Sequence, residues 1–166
     1  MIPAFFTGFF LGLSLIVAIG AQNTFVLRQG ISNQHIFYVA LFCALSDALL
    51  ISIGIAGISF FLNNLVTQIS DWLFGISALW LAGYGFIRIS SVFKSDKALE
   101  IEISATKSLL TTLSIVSVLT FANPHVYLDT MFLIGSISQQ FIGEKKLAFG
   151  LGASLASFVF FFSLAY

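Results

Sequence analysis

Two aspartates stand where charge is costly. Asp47 in "CALSDALLI" and Asp129 in "YLDTM" each lie inside a long apolar run. A charged Asp at the centre of a membrane helix costs roughly 2.5–3.5 kcal/mol on insertion scales, so it faces a cavity or a partner rather than lipid. Buried carboxylates of this kind bind a cation, relay protons or pair with a buried base. No Lys or Arg falls mid-span in these runs; Arg88 comes nearest, toward the end of one. At least one acid is therefore left for a cationic cargo, for a proton or for a segment beyond the chain. Two protonated acids that merely hydrogen-bond to neighbouring helices are the plainer alternative.

Carboxamides add to the pattern. "IGAQN", residues 19–23, places Gln22 and Asn23 side by side after Gly20 within an apolar stretch from Pro3 to Leu27. "FANPHVYLDT", residues 121–130, places Asn123 beside Pro124, which removes a backbone donor and breaks or kinks a helix. Gly20 does the weaker version of this. Interrupted helices at corresponding places in two halves of a chain point to a transporter site near the bilayer midplane. The plainer alternative is a pair of packing kinks, with Asn side chains gluing helices together.

The elements that must position these residues are membrane helices. The 166 residues are 58% hydrophobic and only 8% charged, with mean hydropathy +1.03. Soluble domains carry about 25% charge, so an integral membrane protein is expected. Five apolar spans stand out, at about 4–27, 36–62, 72–93, 109–135 and from Leu147 to the last residue. Asp47 lies about 11 residues into the second, roughly 17 Å deep at ~1.5 Å per residue. Cys43, Asp47, Gly54 and Gly57 share one stripe of that span, which turns Asp47 toward protein, and Gly75, Ala78, Ala82 and Gly85 repeat the rhythm in the third.

The fold class expected is thus all-α, with five transmembrane helices of a six-helix plan. Spans 1–3 form one repeat and spans 4–6 its inverted copy, with helices 1 and 4 interrupted. One transmembrane domain covers 1–166: 1–93 the first repeat, 94–108 a polar loop and 109–166 an incomplete second repeat. The sequence stops at Tyr166 with no polar tail, which reads as a C-terminally truncated piece. The loop holds Lys94, Asp96, Lys97, Glu100, Glu102 and Lys107 and reads as a solvated connector. Loops one and three carry Arg28, Arg88, Lys94, Lys97 and Lys107, loops two and four only Lys145 and Lys146; the bias puts the former pair in the cytoplasm. Residues 4–17 lack the preceding Lys or Arg of a secretion signal.

Other classes are disfavoured. Net charge is zero, so no nucleic-acid partner is indicated. Cys43 is the single cysteine and no Cys/His spacing suggests a metal; no cofactor is called for. A two-aspartate intramembrane protease needs carboxylates about 3 Å apart sharing a proton, and "LSDAL" and "YLDTM" lack the expected glycine-rich context. A passive scaffold has no need of costly polar residues beside helix breaks, yet a non-transporting membrane scaffold stays an alternative for the chain as written.

Together "IGAQNTFVLRQG", "CALSDALLI" and "FANPHVYLDT" resemble the LysE-type translocator family, in particular its lysine and arginine exporters. The resemblance covers the chain from near residue 5 to its end, with three motifs in order. It implies export of basic amino acids across the bacterial inner membrane by a multi-pass, ion-gradient-driven transporter, with no enzymatic activity. By position the first motif falls on Gly20, Gln22 and Asn23, the second on Ser46 and Asp47, the third on Asn123, Pro124, Tyr127 and Asp129. Asp47 and Asp129 are then candidates for the cationic side chain or the coupling proton. Gln22, Asn23, Asn123 and Tyr127 are candidates for the rest of the cargo, with Ser46 in support. Two departures show. Ala21 replaces a usual proline, so the first break is expected to depend on Gly20 alone and to be softer, and members run about one helix longer. The partners implied are the lipid bilayer, an amino-acid substrate and a proton or other ion; a homo-oligomer is left open. Alternative cargoes are a neutral amino acid or a metal cation.

Overall fold

A computed structural model describes residues 1–18, 20–61 and 108–166, with isolated helical positions between 72 and 90. The described residues form helices and connecting turns. α1 spans Ile2–Ile16 and α2 spans Ala21–Ile31, meeting at 85°. α3 runs from Ile36 to Phe61. α4, Leu109–Phe121, and α5, Pro124–Ser138, meet at 61°. α6 closes the described chain over Glu144–Ala165. Among the described residues two helices, α3 and α6, are long and apolar enough to cross a membrane, and each bent pair supplies one more span if counted whole. The third expected span and the polar loop, with Asp71, Arg88 and Asp96, lie outside the described residues apart from the isolated positions.

Local chemistry sets the boundaries. Ser108 caps α4, its hydroxyl accepting from the Thr111 amide at 3.3 Å. Asn123 caps α5 with Pro124 at the first helical position, where a missing N–H costs nothing. From Tyr127 to Leu133 α5 widens into a π-helix, and the Ile134 amide reaches back five residues to the Asp129 carbonyl. Gly143 starts α6 at φ +57°, a left-handed backbone that favours glycine.

Helix packing is by backbone contact. Gly8 and Gly12 of α1 lie on Phe149 and Ala153 of α6, and a Cβ on Gly8 would strike the Phe149 carbonyl. Gly152 of α6 in turn lies on the backbone of Phe5 and Phe9. Both residue numbers rise together, so α1 and α6 run parallel. Ile55 meets Gly150, while Val39 and Ala40 share a cluster with Phe161 and Ala165, so α3 runs against α6. Phe42 meets Phe121, with ring centroids 6.3 Å apart, and Gly54 meets Met131, so α4 and α5 follow the direction of α3. The two broken spans therefore run opposite ways. Lipid is as apolar as leucine, so such close van der Waals seams, not apolar burial, hold the helices together. Phe6, Phe10, Leu45, Leu49, Leu110 and Leu151 face outward, where lipid would meet them.

The small-residue stripes are only partly used. Cys43, Asp47 and Gly54 are buried, and a Cβ on Gly54 would stand 2.6 Å from the Met131 carbonyl. At Gly57 a Cβ would meet nothing within 4 Å, so that glycine makes no seam. In the third span the described positions show no close face: Gly75 and Ala78 are exposed, and a Cβ on Gly75 would meet nothing within 4 Å among the described residues. Small residues permit close approach, but a neighbour must use it.

Candidate functional site

Both helix breaks open onto one cavity of about 270 Å³. Leu15, Ile16, Ala18, Gly20, Gln22 and Asn23 line it from the first break. Asn123, His125, Val126, Asp129 and Thr130 line it from the second. Asp47 enters from α3 and Phe161 from α6. Ligand pockets run from about 300 Å³ for drug-sized molecules, so this volume suits one small metabolite.

The first break is built differently from the expectation. Gly20 has φ −110° and ψ −174°, extended backbone open to any residue, and a Cβ there would meet nothing within 4 Å. Glycine's freedom is not what bends the chain. Asn23 Nδ2 donates to the Ile16 carbonyl and to the Ala18 carbonyl, both at 2.9 Å. The last carbonyls of a helix have no partner within it. Asn23 supplies two from across the break, and the 85° bend exceeds the 61° of the proline-bearing break. The first break thus rests on Asn23 and not on Gly20 alone.

At the second break Asn123 Oδ1 accepts from the His125 amide at 3.1 Å. Tyr127 Oη donates to the Phe121 carbonyl at 2.8 Å, tying the end of α4 to the start of α5. Thr130 Oγ1 donates to the Val126 carbonyl at 2.6 Å inside the π-helical turn. The broad π turn carries Asp129, and Gly54 lets it approach α3 two turns along from Asp47. The two carboxylates then face the same cavity.

Of the residues singled out in the sequence, Gly20, Gln22, Asn23, Asp47, Asn123 and Asp129 line the cavity. Ser46 is buried but is not among its lining residues, since adjacent helix positions point about 100° apart. Pro124 and Tyr127 do not line it either; they shape the break. Eight lining residues were not singled out, His125 and Phe161 among them. His125 Nε2 lies 3.3 Å from Asp129 Oδ2, and the i, i+4 spacing of the pair was visible in "HVYLD". Phe161 had no signal, being one phenylalanine of 20.

Electrically the cavity is mixed. α2 and α5 both begin at it, and helix N-termini carry a partial positive charge. Asp47, only 4% exposed, and Asp129 bring carboxylates. Gln22 Nε2 is buried and finds no acceptor among the described residues. Such a chamber can hold a molecule bearing a carboxylate at one end and cations at the other, with the spare amide as a donor.

The comparisons fit that chemistry. A family model described as LysE type translocator matches residues 13–166. The chain is similar to the arginine exporter protein ArgO of Salmonella paratyphi A (strain ATCC 9150 / SARB42), 38% identical over 99% of this chain and 78% of the relative. The ArgO of Salmonella enteritidis PT4 (strain P125109) is 40% identical over the same shares. No solved structure matches.

Proposed function

The chain belongs to the LysE type translocator family, and from that premise we propose that it exports basic amino acids, arginine foremost, across the bacterial inner membrane. It is a multi-pass, helical membrane protein of a transporter family. The observation that carries the cargo is the cavity itself. Two carboxylates, Asp47 and Asp129, face it from different helices, and two half-helix N-termini open on it. A guanidinium or ammonium group suits the acids, and an α-carboxylate suits the amide ends. The relatives named as arginine exporters supply the same cargo independently.

The six-span inverted repeat belongs to this reading. It is supported by the two bent helix pairs running in opposite directions, with their breaks meeting at one chamber. In this reading Gln22 and the amide nitrogen of Asn123, both from residues that line the cavity, serve the backbone groups of the cargo, and an ion gradient drives the export.

Efflux of preloaded radiolabelled arginine and lysine from cells expressing the full-length protein tests the proposal, with Asp47→Asn as the comparison. Arginine efflux above the empty-vector level, cut at least tenfold by Asp47→Asn, is expected. Retention equal to empty vector sinks the cargo; full efflux by the variant sinks the role of Asp47.

A further inference from the structure

Asp129 already has a base within reach. His125 Nε2 stands 3.3 Å from Asp129 Oδ2, one turn earlier on α5, and both side chains line the cavity. His125 is 44% exposed and Asp129 25%, so both are open to the chamber. Asp47 on α3 is the one other ionisable side chain among the described lining residues, and Tyr127 turns its hydroxyl to the Phe121 carbonyl instead. The chamber thus holds two carboxylates and one imidazole, which is positive only when it carries a second proton. A cationic cargo that takes Asp129 must compete with that imidazolium.

We propose that His125 is the proton carrier of this transporter, holding Asp129 as an imidazolium when the chamber is empty and yielding it to the cation of the cargo. When a guanidinium or ammonium pairs with Asp129, His125 loses one proton to the side from which the cargo came. When the cargo departs on the far side, His125 takes one proton there and pairs with Asp129 again. One positive charge faces Asp129 in both states. A singly charged cargo exchanged for one proton therefore moves no net charge. Asn123 supports the device by holding the His125 backbone amide, and the π turn beginning at Tyr127 sets the pair's spacing. The inference rests on the basic-cargo reading.

Proteoliposomes carrying the full-length protein decide it, with labelled L-arginine as probe. Arginine–arginine exchange, which needs no net proton movement, serves as the internal reference. An imposed pH gradient should drive uptake, and an imposed potassium–valinomycin potential should not. The KM for exchange should rise on acidification, toward the tenfold per pH unit of one-proton competition. In His125→Gln the ratio of gradient-driven uptake to exchange should fall at least tenfold and the KM should lose its pH dependence. His35→Gln, outside the chamber, should leave both unchanged. A merely structural histidine would lower both rates together and keep the KM profile. Uptake driven by the potential, or a wild-type pH profile in His125→Gln, overturns the proposal while leaving export standing. No exchange of arginine by the wild type overturns the cargo reading and the proton carrier with it.

Discussion

Replacing Asn23 separates two roles that the position could serve. In the structure both hydrogens of its amide are committed to the chain's own backbone, at the Ile16 and Ala18 carbonyls. Hydrogen bonds inside membrane proteins average about 0.6 kcal/mol and reach about 1.7. Losing both in Asn23→Ala should cost about 1–3 kcal/mol. At roughly 2–4 °C per kcal/mol for a chain of this size, the Tm should fall by about 2–12 °C. Asn23→Asp should fall at least as far. An ionised carboxylate turns acceptors onto acceptors, and a protonated one restores a single donor. The assay is thermal unfolding of the purified full-length protein in detergent, run beside arginine exchange in proteoliposomes. If Asn23→Ala melts within about 1 °C of wild type yet loses exchange, the amide contacts cargo, and the account of the 85° bend as an amide-held joint is wrong.

Gly54→Ala should place a Cβ 2.6 Å from the Met131 carbonyl and 3.0 Å from that of Thr130, costing about 1–3 kcal/mol and displacing the Asp129 turn; exchange should drop at least tenfold. Gly57→Ala, with open space around it, should raise the Tm slightly by helix propensity, and the pair read by unfolding and exchange tests the packing argument. Asn123→Ala should cost about 0.5–2 kcal/mol through loss of the cap on the His125 amide, whereas Asn123→Asp should keep the melting temperature because a carboxylate still accepts. Tyr127→Phe should lower the Tm by removing the 2.8 Å bond to Phe121 while moving the arginine KM less than threefold, since its side chain lies off the cavity wall.

Much of the site was legible because lipid makes polar residues conspicuous. Gln22, Asn23, Asp47, Asn123 and Asp129 stood out against apolar neighbours, and the structure gathers all five at one chamber. The mechanism of the first break was not legible. Gly20 looked like its cause, but a side chain three residues on supplies the missing partners, and a bond across a gap has no periodic trace. The π turn was hidden for a related reason, since it alters the count of residues per turn without altering composition. Gly8 and Gly12 lay in plain view in "GFFLG", yet only the partner helix distinguishes a seam glycine from an idle one such as Gly57.

The seam between α1 and α6 has a mechanical consequence. At Gly8 the two backbones touch with no room for a Cβ, and at Gly12 a Cβ would stand only 3.1 Å from Ala153. Driving α1 along its screw by one residue, a rise of ~1.5 Å with a turn of ~100°, would bring Thr7 or Phe9 to the place of Gly8, where a side chain cannot go. That screw motion is therefore blocked tooth against tooth, which ties α1 to α6 as a single plate. On the transport reading proposed above, alternation between the two faces of the membrane would turn the remaining helices about that plate. The natural pivots are the joints between α1 and α2 and between α4 and α5, where the run of helix is already interrupted.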